Sequence, residues 1–148
     1  MYIEHGYKAD TQECLKTLVD NFHSTTIATI SADGRPVTRC IDMMYYDDEG
    51  FYFLTGTFKE FFNQLMEQKY VSISAIKGKR CISLTGHVEN IGQDRLKEIF
   101  EKNTYMQPMY KPEERKLLNV FRIKRAKGSI LDISDPTHVI RGDFVIDD

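Results

Sequence analysis

Apolar residues at Phe58, Phe61, Phe62, Leu65 and Met66 recur at intervals of three and four, which predicts an amphipathic helix. The run Phe51, Tyr52, Phe53, Leu54 just before it predicts a strand that hands over to this helix through Thr55, Gly56, Thr57 and Phe58. Nearer the N-terminus, Leu15, Leu18, Val19 and Phe22 keep helical spacing, and Asp10 with Glu13 has the form of a capping box. From Ser24 the period changes to two: Thr25, Ile27 and Thr29 alternate with Thr26, Ala28 and Ile30. Asp33 and Gly34 supply hairpin-turn chemistry, and residues 36–46 read as the returning strand. Residues 47–50 turn the chain once more into the strand at Phe51.

Beyond the Phe58 helix, Val71, Ile73 and Ala75 alternate with serines, as in a half-buried strand, and Lys77, Gly78 and Lys79 form the next turn. Residues 81–91 alternate strongly, with Gly86 marking a bulge or a close backbone approach. A short helix is expected over 94–101, with Leu96, Ile99 and Phe100 facing inward. Residues 105–112 form a loop rich in methionine and aromatics, 113–118 a helical turn, and 119–126 a strand that Gly128 turns into 129–133. The stretch 136–148 has no assignable pattern.

Strands joined by tight turns dominate, whereas parallel winding would need a helix after nearly every strand. The expected fold is therefore mainly β with α+β content: an antiparallel barrel or strongly curved sheet with peripheral helices. Residues 1–148 read as one domain, with an N-terminal helix in 1–23, a barrel over 24–133 and a tail over 134–148. The strand over 36–46 is apolar on both faces, through Ile41, Met43 and Tyr45 on one and Cys40, Met44 and Tyr46 on the other. A barrel strand in water should have a polar outer face, so a homodimer interface is expected to cover this one.

Composition narrows the function classes. Hydrophobic residues are 41% and charged residues 28% of the 148, the profile of a folded globular chain. No apolar run approaches the roughly 20 residues that cross a bilayer, so no membrane partner is expected. The first residues lack the basic flank and apolar core of a signal peptide, which makes the cytoplasm the expected location. Net charge is −2, with Lys+Arg 20 against Asp+Glu 22, a balance without a nucleic-acid footprint. Cys14, Cys40 and Cys81 form no CxxC pair and read as reduced thiols. His5, His23, His87 and His138 lack metal-ligand spacing, so no metal site is expected.

The candidate chemistry lies at the strand-to-helix junction. First-turn amides of a helix point outward unpaired and its dipole favours negative charge, so Thr55, Gly56, Thr57 and Lys59 form a potential phosphate socket. Thr57 with Glu60 also fits a capping box, which explains the hydroxyl without a ligand. It does not explain Lys59, a cation at the positive end of a helix.

The order of these motifs resembles a known family. "GRPVTRCIDMMYYDDEG" (34–50), "FYFLTGTFKEFFNQL" (51–65), "YVSISAI" (70–76) and "ISLTGHVE" (82–89) are together similar to the FMN-binding split barrel of the pyridoxamine 5′-phosphate oxidase-like superfamily. The likeness runs over about 24–133. It implies a dimer with FMN in the groove between subunits, the phosphate held by Arg39, Thr55, Thr57 and Lys59 with Gly56 between them, and the flavin edge lined by backbone of Thr38, Arg39, Cys40, Ile41 and Asp42. An arginine suits bidentate phosphate binding, and a lysine adds a mobile point charge.

The departures are also informative. Phe58 stands where the family has a serine or a basic residue, and Met44 where true pyridoxamine phosphate oxidases carry a substrate-phosphate lysine. The chain has no tryptophan, and His138 with Arg141 is a weak match to the family's substrate-covering C-terminal segment. The resemblance thus implies an FMN-dependent oxidoreductase acting on a small molecule other than pyridoxamine phosphate, with NADH or NADPH as a candidate electron donor. Tyr105, Met106 and Tyr110 are the candidate substrate-side residues, since flexible methionines and aromatics can cover a planar ring. The alternative is a non-catalytic flavin or haem module or redox sensor of the same fold, with His87 as the first haem ligand to test.

Overall fold

The computed structural model describes residues 2–147, with side chains over 8–147; Met1 and Asp148 lie outside the described residues. The strands are β1 (Tyr2–Lys8), β2 (Ser24–Ile30), β3 (Pro36–Asp42), β4 (Tyr45–Asp47), β5 (Gly50–Gly56), β6 (Tyr70–Lys77), β7 (Arg80–Gly92), β8 (Leu118–Asp132) and β9 (His138–Ile146). They form one sheet in the order β1-β9-β8-β7-β6-β2-β3, with β5 on β8 and β4 on β5. Every pairing is antiparallel except β1 with β9. This is a mainly antiparallel split barrel: the turn pattern predicts the antiparallel order, and the family resemblance implies the split barrel.

The split occurs along β8. Residues 118–123 give one edge to β5, and residues 126–132 give that edge to β9, while β7 holds the other edge almost throughout. Between the two halves Arg125 takes φ 47, and the β7–β8 register slips between Thr85 and His87. An extra residue in one strand bends it and sharpens its twist, which is how one strand can serve two sheet edges. Gly86 sits opposite the slip, where a Cβ would meet Ala126 Cβ at 2.5 Å, so it marks a bulge and a close approach at once.

Two apolar cores result. β5 is buried along its whole length, and alternation sends Phe51 and Phe53 into the main core and Tyr52 and Leu54 into a second one. In the main core Phe53 stacks between Phe61 and Phe121, with centroids 6.1 and 5.6 Å away. The second core joins Met44, Leu118 and Val120 to α3 (Leu96–Lys102) and to Met106 of a 3-10 strap, Thr104–Met109.

Several expectations are corrected. The N-terminal segment 1–23 is not one helix: β1 precedes α1 (Thr11–Lys16), which runs into a π-helical turn over Thr17–Phe22. Asp10 does cap α1, its Oδ1 accepting from Glu13 N at 3.0 Å. The strand expected over 36–46 breaks after Asp42, where Met43 N bonds His23 O and Met44 N bonds Tyr52 O. The break sends Met43 to the main core and Met44 to the second, with Tyr45 packed on the second core and Tyr46 on the first. Much of the apolar outer face is thus covered by the chain itself. Gly128 does not turn the chain; it pairs Leu84 on one side and Phe144 on the other inside a continuous β8. The tail over 134–148 supplies β9, whose Val139, Phe144 and Ile146 are buried.

Candidate functional site

A cavity of about 450 Å³ lies between β3, the end of β5, the start of the following helix and the strap. Arg39, Thr55, Lys59 and Phe61 line one part; Met44, Leu54, Tyr105, Met106, Met109 and Tyr110 line another, with Cys40, Ile41 and Asp42 of β3 between them. Chain order separates these groups, and the fold brings them together because β3 ends its sheet path and its last residue, Asp42, accepts a hydrogen bond from Tyr105 of the strap.

Arg39 is partly buried in this wall. Its Nη1 donates to Thr29 Oγ1 at 2.9 Å and its Nη2 to Gln64 Oε1 at 3.1 Å, and the guanidinium lies 4.3 Å from the Phe61 ring centre. Among the described residues no carboxylate comes within ion-pair distance of it. Burial pushes its pKa down, and the more distant charge of Glu60 only partly offsets this. A partly desolvated guanidinium with neutral partners alone is a costly arrangement that a bound anion would relieve. Lys59 stands beside it as the exposed N-cap of α2 (Glu60–Gln68), in extended conformation.

Other expected site residues fall elsewhere. Thr57 does not cap α2: the helix starts later, and Thr57 N donates to Leu117 O at 2.8 Å. Neither Thr57 nor Gly56 lines the cavity. Gly56 lies under the ring of Phe58, where a Cβ would come within 2.5 Å, while Phe58 itself is 72% exposed. Thr38 lines a separate, wider groove with Thr26, Ser74 and Thr85. His87 packs edge-on against Tyr70 at 5.2 Å and borders a different pocket with Lys69, Lys124 and Arg125. His138 and Arg141, on β9, do not line the cavity.

A model of the family described as pyridoxamine 5′-phosphate oxidase matches residues 11–131. The chain belongs to the pyridoxamine 5′-phosphate oxidase family. No curated relative matches it. Among solved structures it is similar to a NimC/NimA family protein from Clostridium acetobutylicum, at 21% identity and TM-score 0.76 over 95% of this chain and 96% of that one. It is also similar to an F420 reductase, at 19% identity and TM-score 0.59 over 83% and 97% of the two chains. A third likeness is to HutZ, the haem storage protein of Vibrio cholerae, at 15% identity and TM-score 0.54 over 78% and 89%. These likenesses show a shared fold.

Within this family framework one group at the cavity edge escapes sequence reasoning. His23 Nε2 lies 2.6 Å from Tyr105 Oη, and the Tyr105 hydroxyl donates to Asp42 Oδ2 at 2.9 Å. His23 takes φ 62 and ψ −63, a strained region for a residue with a side chain. Burial first, and the bond to Asp42 second, push the Tyr105 hydroxyl pKa up. In the sequence His23 was simply the end of a helix pattern; no local spacing ties it to residues 42 and 105.

Proposed function

We propose that the chain is an FMN-dependent oxidoreductase acting on a small molecule other than pyridoxamine phosphate. The observation that carries this reading is Arg39, a partly buried cation with no carboxylate within ion-pair distance among the described residues, in the wall of a cavity whose other end is lined by methionine and tyrosine. Arg39, Lys59 and the Thr55 hydroxyl would hold the phosphate, and the free edge of β3 over 40–42 would meet the polar rim of the flavin. Tyr105, Met106, Met109 and Tyr110 would cover the ring. FMN, when bound, supplies hydride or electron chemistry. Met44, buried in the second core, offers no charge for a substrate phosphate.

The proposal includes a second copy of the chain closing the open side of the cavity at β3, an NAD(P)H electron donor and a cytoplasmic location. The test is the absorbance spectrum of the purified protein, followed by titration with FMN, with F420 as a deazaflavin and with haem. Uptake of FMN at micromolar concentration supports the reading. A Soret band without flavin uptake moves the protein to the haem-carrier class, and uptake of F420 alone changes the cofactor while keeping the redox role.

A further inference from the structure

Three residues far apart in the chain meet at the cavity edge: His23 closes the π-helical turn, Asp42 ends β3, and Tyr105 belongs to the strap. Asp42 and Tyr105 both line the cavity. Their hydrogen bonds can be counted. His23 Nδ1 is 3.1 Å from the Val19 carbonyl oxygen, His23 Nε2 is 2.6 Å from Tyr105 Oη, and Tyr105 Oη is 2.9 Å from Asp42 Oδ2. A carbonyl oxygen and a carboxylate only accept, so Nδ1–H donates to Val19, and Tyr105 gives its one proton to Asp42 at 2.9 Å in preference to Met44 Sδ, a weaker acceptor 3.7 Å away. The remaining contact then needs Nε2 as donor.

With Asp42 ionised, these bonds exist together only with a proton on each ring nitrogen. Asp42 Oδ2, 3.5 Å from Nε2, balances the resulting charge, while Asp42 Oδ1 accepts from Ser24 Oγ at 2.9 Å. Among the described residues, Asp42 from β3 and Tyr105 from the strap are the titratable groups bonded to or paired with His23. The set is not a core-building device, since Tyr105 is 47% exposed and His23 is held in a strained backbone conformation.

We propose that Tyr105 is the proton donor of this cavity, recharged by His23 and held in place by Asp42; this rests on the redox reading above and deepens it. The ligand class it serves carries a carbonyl-type oxygen, as in a quinone, on which negative charge develops during reduction. That oxygen takes over from Asp42 as acceptor of the Tyr105 hydroxyl. The Tyr105 O–H bond breaks as an O–H bond forms on the ligand, and the Nε2 proton passes to Tyr105 Oη. The ligand gains one proton, His23 loses one and keeps Nδ1–H on Val19, and solvent reloads Nε2. No electrons move in this step. Because the environment disfavours the phenolate, Tyr105 gives up its proton only as His23 replaces it.

Two measurements test this. In the ligand-free protein, proton NMR should show both ring N–H signals of His23 protected from solvent exchange, with the Nε2–H signal lost in Tyr105→Phe and the Nδ1–H signal kept. In the FMN-loaded protein with NADH and a para-benzoquinone, Tyr105→Phe should lower kcat by roughly a hundredfold with FMN affinity changed by less than about twofold. A single ring N–H in the native protein, or an unchanged kcat in Tyr105→Phe, overturns the proposal. If the N–H pair is present but no flavin binds, the cofactor reading fails and the donor role falls with it, while the network itself stands.

Discussion

At the scale of single residues, Arg39 carries most of the argument. Its position in a strand next to hydroxyl-rich sequence was legible, and so was its chemistry. Its neutral surroundings were not, because Thr29 and Gln64 reach it from another strand and a helix. Replacing it removes charge-assisted bonds worth about 1.5–3 kcal/mol each. Arg39→Ala should therefore weaken FMN binding by roughly ten- to hundredfold, as read by quenching of flavin fluorescence, and should also lower the thermal midpoint, because buried Thr29 and Gln64 lose their bonds to the guanidinium. The Thr57 hydroxyl illustrates the opposite case. The capping-box spacing with Glu60 is present in the sequence, yet Lys59 opens the helix because the Thr57 amide is committed to Leu117 in a part of the chain no local pattern could supply.

Elements were read well where one period ran unbroken. β2, β6 and β7 fall where alternation places them, while β3 stops at Asp42 and α2 opens only at Glu60, inside the segments that the spacing marks. β9 was missed because its segment 138–146 mixes charged and apolar residues around Gly142, and only its neighbours make it a strand: β8 on one side and β1 on the other. Its Val139, Phe144 and Ile146 are buried, and each such side chain is worth about 1.5–3 kcal/mol. That sum is of the order of a whole domain's stability, about 5–15 kcal/mol. A chain truncated after Asp135 should lose its cooperative thermal transition and its near-ultraviolet circular dichroism; a truncated protein that melts like the full chain would show β9 to be dispensable.

For the whole molecule, ionisation sets the stability window. Bonds from Lys124 and Arg122 hold the Glu89 carboxyl below its usual range, and Ser134 does the same for Asp132. Groups with depressed folded pKa values stabilise above their unfolded pKa, so this stability is lost as pH falls below about 4. At the other end, burial and the charges of Asp10 and Glu13 push the Cys14 thiol from 9.0 to about 11, and burial with Asp47 raises Tyr52. Here the folded state prefers the protonated form, so stability is lost as pH rises from 9.0 toward about 11. Urea midpoints should form a plateau near neutrality that falls on both sides. The proposed second copy is a whole-molecule question too, because the chain covers Met44 and Tyr45 internally but leaves Cys40 exposed on the free edge of β3. Sedimentation at micromolar concentration should give a dimer, and a stable monomer would remove the second subunit from the cofactor site.

What the sequence determined by itself was local: periods of two and of near four, the Asp-Gly turn, the Asp10 cap, and a motif order sufficient to mark the family. These signals depend on residues close along the chain, so no partner is needed to read them. The tertiary structure decided which hydroxyls reach the cavity, where β8 splits the sheet, and that His23, Asp42 and Tyr105 come within hydrogen-bond distance. Those outcomes depend on pairings between distant strands and on a bulge at Arg125, and their geometry exists only once the barrel has closed.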